Sequence, residues 1–383
     1  MKRSTDRILT THAGSLPRPS DLLEMIGARA ADRDALAARV RRAVHDVVRE
    51  QAAAGLDVVT DGEMSKPSFV TYVHERLSGF EPTTDPPGLP WAGSREVAAF
   101  PDYYAATVRQ SANAAARATR LACTGPITYT GHARVQADID NLKSALDGLG
   151  VAEAFLPAIS PSNVESWQAN KHYRTDDEYL FAIAEAMREE YRAIVDAGLL
   201  LQIDDPRLVT YYITRPDASV KACRAWAETR VEALNHALRG LPRERIRFHT
   251  CYSINMGPRV HDMELRDIAD VILKVNAGAY SFEAANPRHD HEWRVWEAVT
   301  LPDDAVLIPG VITQSTVLVE HPELVADRIQ RFASVVGRER VIAGADCGFA
   351  TFAGSTEIHP TIAWAKLTAL VEGARLASKR LWT

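Results

Sequence analysis

The chain is short of cysteine: 383 residues contain four, Cys123, Cys223, Cys251 and Cys347. So few in so long a chain exclude a disulfide scaffold, and in a reducing compartment they are buried, catalytic or metal-bound. No apolar run is long enough to span a bilayer. The opening stretch, "MKRSTDRILTT", lacks the apolar core of a signal peptide, so a cytoplasmic location with no membrane association is expected. Positive charge is not in excess: 44 Lys and Arg stand against 50 Asp and Glu, for a formal net charge of −6. That leaves no basic face for a phosphate backbone, and no nucleic acid is expected as partner. Neither G-x-G-x-x-G nor G-x-x-x-x-G-K occurs, which removes the usual mark of an open nucleotide-binding sheet. Low-complexity tracts and internal repeats are absent too. What remains is ordinary for a globular protein, with 46% hydrophobic and 25% charged residues.

Short aliphatic runs alternate with helical patterns. "LDVVTDGE" (56–63), "LACTGP" (121–126), "LLLQIDDP" (199–206), "RIRFHTC" (245–251), "AYSFEA" (279–284), "AVLIPGV" (305–311) and "VIAGADCG" (341–348) each carry Gly, Pro, Asp, Cys or a small residue within their last three positions. They read as seven buried parallel strands. "TTHAGS" (10–15) and "FLPAIS" (155–160) are weaker candidates, one of which would complete a ring of eight. Between them, 175–198 reads as a helix with Thr175 and Glu178 as a capping box, an apolar face of Ile183, Met187, Ile194 and Val195, and Gly198 as the stop. The stretch 321–337 repeats the scheme with Pro322 near the start, a stripe of Val325, Ile329, Phe332 and Val336, and Gly337 at the end. Repeated strand–helix units predict an α/β fold, a (β/α)8 TIM barrel forming a single domain over 1–383. Two segments break the rhythm and are expected to be long loop insertions: 81–104, rich in Pro, Gly and aromatics, and 127–174. Either could cover the barrel mouth or form an oligomer contact.

Reactive groups of a barrel sit at the C-terminal ends of its strands. His249 and Cys251 end one predicted strand, and their i, i+2 spacing puts both side chains on one face. Glu283 follows at the end of the next strand, and Cys347 at the end of the last. Taken singly, each has a bland reading: a buried pair, a salt-bridge partner, a cysteine near a turn. Converging on one mouth, two thiolates, an imidazole and a carboxylate make a tetrahedral zinc set. Ligands drawn from three strand ends suit a catalytic site better than a structural one, and the carboxylate is the ligand an incoming group would displace. Zinc with an exchangeable position binds a thiol and lowers its pKa, so that zinc-bound thiolate can attack an activated carbon. Two thiolate ligands disfavour a hydrolase, because their donation quenches the Lewis acidity of the metal. Cys123 and Cys223 read as buried, structural residues.

With these residues in view, the chain resembles the catalytic half of cobalamin-independent methionine synthase and its single-domain relatives, which include epoxyalkane:coenzyme M transferase. The resemblance is carried by ordered motifs: "TTHAGSLPRP", "TDGEMSKPSFV", "CTGPIT", "LQIDDP", "FHTCYS", "SFEAANP", "PGVI" and "GADCGF". It implies a zinc-dependent transferase with His249, Cys251, Glu283 and Cys347 as metal ligands. It further implies that Ser15, Glu63 and Asp204 hold homocysteine as the thiol acceptor. Glu63 and Asp204, two acids at strand ends, suit an ammonium group, whereas Asp205 points the other way along its strand and reads as structural. The chain also departs from the family. It leaves no room for the N-terminal half that helps hold folate. The histidine expected after the penultimate strand is replaced in "GVITQSTVLVEHP" by Thr313, Gln314 or Ser315. The tryptophan expected after "TGP" is missing, with Tyr129 and His132 nearby instead. These losses weigh against methyltetrahydrofolate as donor and favour one that needs no acid, such as a methylated corrinoid. An epoxide donor with a coenzyme M acceptor is the alternative: Tyr129, His132 or His12 would protonate the alkoxide, and Arg18, Lys66 or His12 would meet the sulfonate. A non-catalytic carrier of a metal or corrinoid, and a decarboxylase of the uroporphyrinogen type, rank behind these. A homo-oligomer is compatible with the sequence.

Overall fold

Among the described residues, eleven short strands form where aliphatic residues cluster between turn residues: β1 (Leu9–Thr10), β2 (Val58–Thr60), β3 (Phe80–Pro82), β4 (Leu121–Cys123), β5 (Glu153–Ile159), β6 (Ala169–Asn170), β7 (Leu200–Asp204), β8 (Ile246–Thr250), β9 (Ala279–Phe282), β10 (Val306–Ile312) and β11 (Ile342–Ala345). They belong to a computed structural model that describes residues 1–27, 32–83, 92–110, 121–252, 257–355 and 358–383. Eight of the strands make one sheet in the order β1-β11-β10-β9-β8-β7-β5-β2, with every ladder parallel. The two end strands meet where Asp57 N–H donates to Thr10 O at 3.1 Å and Thr11 Oγ1 donates to Val58 O at 3.0 Å. The sheet therefore curls into the nearly closed ring of a (β/α)8 barrel. Almost every strand residue of the ring is buried, as expected of a parallel sheet covered on both faces.

Side-chain alternation sorts the strand residues. Leu201, Ile203, Phe248 and Leu307 join the large core between sheet and helices. Their neighbours Gln202, Asp204, Arg247 and His249 take the other face, and Val306 and Ile308 pack with Leu9, Ala279 and Ile342 in a separate small cluster. Arg247 is fully buried, with its guanidinium 3.9 Å from the centre of the Phe155 ring and bonds to Thr11 Oγ1 and His12 O. Polar residues thus gather on the inner face, towards the C-terminal ends of β7 and β8.

The two predicted helices form as Asp176–Asp196 and Pro322–Val336. Thr175 Oγ1 caps Glu178 N–H at 3.1 Å, and Gly198 and Gly337 follow with φ of 85° and 89°. Among the described residues no helix is long and apolar enough to cross a membrane.

Two expectations need correction. The stretch 121–126 does not supply a barrel strand: β4 pairs antiparallel with β3 and parallel with β6 in a separate three-stranded sheet. Its place in the ring is taken because both weaker candidates contribute, 10–15 through β1 and 155–160 through β5. Nor is 127–174 a loop insertion. It holds the helix His132–Leu146 and the barrel strand β5, then a short helix and β6. The excursion over the mouth lies earlier. It contains β3, the helices Arg95–Ala99 and Pro101–Gln110, and β4, so the 81–104 expectation falls within it, with 84–91 outside the described residues.

Candidate metal centre and acceptor site

β8 carries His249 and Cys251 to the mouth of the barrel on the same face, and the turn after β11 brings Cys347 to meet them. The three side chains are 3–4% exposed, and one ligand atom from each lies within 4.8 Å of the others. The two Sγ atoms are 3.4 Å apart. Burial, followed by the nearby Arg247 charge, pushes the His249 imidazole down to about 3. It is therefore neutral, the form in which histidine binds a metal, and Ser281 Oγ at 3.1 Å from Nδ1 orients the ring. The Cys347 thiol is pushed well above its ordinary value, first by its hydrogen bond with Cys251, then by burial and the negative charges of Cys251 and Glu283. A thiol so disfavoured as thiolate ionises here only if a cation shares the space.

The donor set fits zinc. Zn–S bonds of about 2.3 Å at the tetrahedral angle need sulfurs about 3.8 Å apart, a small adjustment from the separation found here. Glu283, 1% exposed, stands beside the trio without joining it. Its Oε1 accepts from Tyr252 N–H at 2.8 Å, and its Oε2 from Asn286 Nδ2 at 2.7 Å and Arg259 Nη2 at 3.0 Å. Asp346, beside Cys347, was not singled out in the sequence. Its carboxylate accepts from the backbone N–H of Ala284, Ala285 and Asn286 at 2.8, 2.8 and 3.0 Å, stitching the Cys347 turn to the Glu283 loop. A side chain on Gly310 would collide with that carboxylate, so β10 has glycine there.

A second cluster faces the mouth from β1, β2 and β7. Glu63 has φ of 58°, alone among described non-glycine residues in that region, a strain that proteins keep where it serves a site. Arg18 holds the turn in place by donating to the backbone carbonyls of Glu63, Lys66 and Ala350, each at 2.8 Å. Glu63 Oε2 and Asp61 Oδ2 are buried with no partner. Asp204 Oδ1 accepts from Gln202 Nε2 at 2.8 Å. Burial raises the pKa of both Glu63 and Asp204; for Asp204 the charge of Glu63 adds to the rise, while Lys66 opposes it at both, with Arg18 at Glu63 and Arg247 at Asp204. The carboxylate oxygens left without a partner are acceptors open to a ligand donor. Ser15 lies between this cluster and the metal side, with its carbonyl accepting from Phe349 N–H at 2.9 Å and its Oγ from Ala350 N–H at 3.4 Å.

The other named residues are engaged within the fold. His12 uses both ring nitrogens, Nε2 with Gln51 Oε1 at 2.8 Å and Nδ1 accepting from Gly14 N–H at 3.3 Å, and burial lowers it to about 4. Tyr129 donates to Glu190 Oε2 at 2.7 Å, in a buried network with Arg76 and Asp138. Neither joins the two clusters. Asp205 turns away, as expected, to Ser162 Oγ at 2.7 Å and Asn163 Nδ2 at 3.1 Å.

Residues 8–155 and 158–374 match the family model described as cobalamin-independent synthase, catalytic domain. The chain belongs to this family. It is 24% identical over 376 residues to a methionine synthase of Thermococcus kodakarensis, covering 97% of this chain and 94% of that one. To a methionine synthase of Saccharolobus islandicus it is 27% identical over 379 residues, covering 97% and 95%. Among solved structures it resembles a B12-independent methionine synthase from Shewanella sp. W3-18-1, with a TM-score of 0.70 at 20% identity over 98% of this chain and 99% of that one. A putative vitamin-B12-independent methionine synthase from Listeria monocytogenes gives a TM-score of 0.67 at 21% identity, covering 96% and 98%. These structural likenesses establish the fold, in agreement with the barrel read from the strands.

Proposed function

We propose that the chain is a zinc-dependent methyltransferase that passes a methyl group to the thiol of homocysteine. The observation that carries this reading is the buried trio of His249, Cys251 and Cys347, with ligand atoms within 4.8 Å of one another, facing a carboxylate cluster with unpartnered oxygens. His249, Cys251 and Cys347 would hold the ion, with Glu283 as the fourth, exchangeable ligand. When bound, zinc supplies the lowered thiol pKa that makes the acceptor nucleophilic at neutral pH. Glu63 and Asp204 receive the ammonium group of the amino acid, their mutual repulsion relieved by its charge. Ser15 closes the acceptor pocket on the side of the Cys347 turn.

The donor side supports a methyl group on a good leaving group. Thr313 and Gln314 follow β10, both 3% exposed, and neither side chain is an acid able to protonate a departing nitrogen. A methylated corrinoid needs no such proton. The test is metal content followed by a donor panel. The purified protein should carry about one zinc per chain, and methylate homocysteine from methylcobalamin faster than from methyltetrahydrofolate. Wild-type protein that binds no zinc after reconstitution would sink the mechanism. Indifference to every donor with homocysteine, combined with thiol addition to an epoxide by coenzyme M, would favour the alternative acceptor.

A further inference from the structure

The carboxylate of Glu283 begins a buried line of charges that leads away from the metal ligands. Arg259 donates from Nη2 to Glu283 Oε2 at 3.0 Å and from Nε to Asp262 Oδ2 at 3.1 Å. Asp262 Oδ2 faces His289 Nε2 at 3.1 Å, and His289 Nδ1 faces Glu292 Oε2 at 2.7 Å. The side chains are between 0% and 8% exposed. Tyr252, the residue after Cys251, covers the line. Its ring stacks on His289 at 3.9 Å between centroids, and the Arg259 guanidinium lies 5.6 Å from its centre. Such a chain is too deeply buried to be a screened surface pair, and its geometry is over-determined from the β8 and β9 loops. Nothing in the acceptor or donor chemistry uses it.

We propose that Arg259 is a positioning residue that divides Glu283 between the metal ion and the wall of the site, and so sets how readily a thiol takes the fourth position. The proposal rests on the metal reading above. A carboxylate offers about four lone-pair directions, and three donors from the wall already occupy Glu283. The guanidinium charge draws electron density away from the metal side and repels a divalent cation. Glu283 would therefore be the weakest of the four ligands, and the one that a small thiol would displace. Asp262, fixed by His289, keeps Arg259 from following Glu283 towards the ion.

The experiment compares wild type with Arg259→Met and Arg259→Lys as full-length zinc proteins. Zinc affinity is read by competition with a chromophoric chelator. Thiol access is read from the thiolate-to-cobalt absorption of the Co(II)-substituted proteins titrated with homocysteine. Arg259→Met should bind zinc about tenfold tighter, the scale on which partners of metal ligands act, and should need about tenfold more homocysteine to saturate the absorption band. Arg259→Lys, which keeps the charge, should recover part of both changes. If Arg259→Met fails to fold, Asn286→Ala removes a donor to the same oxygen without unbalancing charge, and should move both readouts the same way by less. Zinc and homocysteine binding unchanged from wild type, or weaker zinc binding in Arg259→Met, overturns the proposal. Wild-type protein that takes up no zinc overturns the metal reading itself, and this proposal with it, whereas a zinc-loaded wild type with an indifferent Arg259→Met removes the role of Arg259 alone.

Discussion

Cys251 and Cys347 place their Sγ atoms 3.4 Å apart although 96 residues separate them. One ends β8 and the other follows β11, with β9 and β10 between them in the sheet. Curvature of the ring brings them together, and the Asp346 carboxylate fixes the approach by gathering three backbone N–H groups from the loop after Glu283. Two thiols so close and so buried cannot both ionise without a cation between them.

Cys347→Ser tests this relationship directly. Serine nearly preserves the shape of the side chain but is a poor zinc ligand. Zinc content by elemental analysis should fall from about one per chain to near zero. Methyl transfer should fall by more than the roughly 10–100-fold associated with losing an outer-shell partner. The far-ultraviolet circular dichroism should stay that of the wild type, since Asp346 and its three backbone bonds remain.

Glu63→Gln and Asp204→Asn separate the acceptor site from the metal. On the proposed reading, each removes a carboxylate that would accept from the ammonium group, an interaction of about 1.5–3 kcal/mol for a hydrogen bond to a charged group. The homocysteine KM should rise by about 10- to 150-fold, since each 1.4 kcal/mol is tenfold, while zinc content stays that of the wild type. A loss of zinc in either variant would show that the two clusters are not independent.

Gly14 sits at φ of 134°, and a Cβ there would come within 3.3 Å of Glu63 Oε1. Gly14→Ala therefore meets both backbone strain and a carboxylate held in place by its own strained turn. Thermal unfolding should show a loss of about 1–3 kcal/mol, accompanied by a higher homocysteine KM. A variant as stable as wild type would mean that the turn relaxes freely.

His289 gives the fold a signature in pH. Burial works against its charge, but hydrogen bonds to Asp262 and Glu292 outweigh that and raise it to about 9. A folded-state value above the unfolded one, about 6.5, means a stabilising contribution that is complete below that lower value and lost as pH rises through about 9. The stability difference between wild type and His289→Gln, followed by thermal unfolding, should be constant near pH 6 and shrink between about pH 7 and pH 9. A difference that grows with pH in that window would reverse the assignment.

That His249, Cys251 and Cys347 lie together was legible because each stands at or just after the end of a strand, and strand ends are marked by the change from aliphatic residues to Gly, Asp or Cys. The ring was harder to read. β1 is two residues long, and Pro157 interrupts the signature of β5, so both looked weaker than β4. An aliphatic run records burial, not the sheet in which it is buried, and β4 is buried in the small one. Glu283 was legible as an acid at a strand end, but its partners were not. Arg259, Asp262, His289 and Glu292 come from two loops, and only the packing of the β8 and β9 connections makes them a line. His12 and Tyr129 stood beside the right motifs, and their hydrogen-bond partners Gln51 and Glu190 lie on helices that sequence proximity does not reveal.

Gln314 yields the prediction with the least usual sign. Its Nε2 is buried with no partner, just after β10, in the stretch Thr313–Ser315 that stands where the family resemblance implies a histidine. An unpartnered buried donor costs the free protein about 1–3 kcal/mol, a cost that a ligand with an acceptor group would remove. Gln314→Leu should therefore leave the unliganded protein as stable as wild type or more so, by thermal unfolding. If the donor supplies the missing acceptor, the same change should lower kcat/KM for it by about tenfold, the scale of one hydrogen bond of ordinary strength. Zinc content and the homocysteine KM should not move. If stability falls instead, Nε2 is serving the fold, and the end of β10 is not part of the donor site.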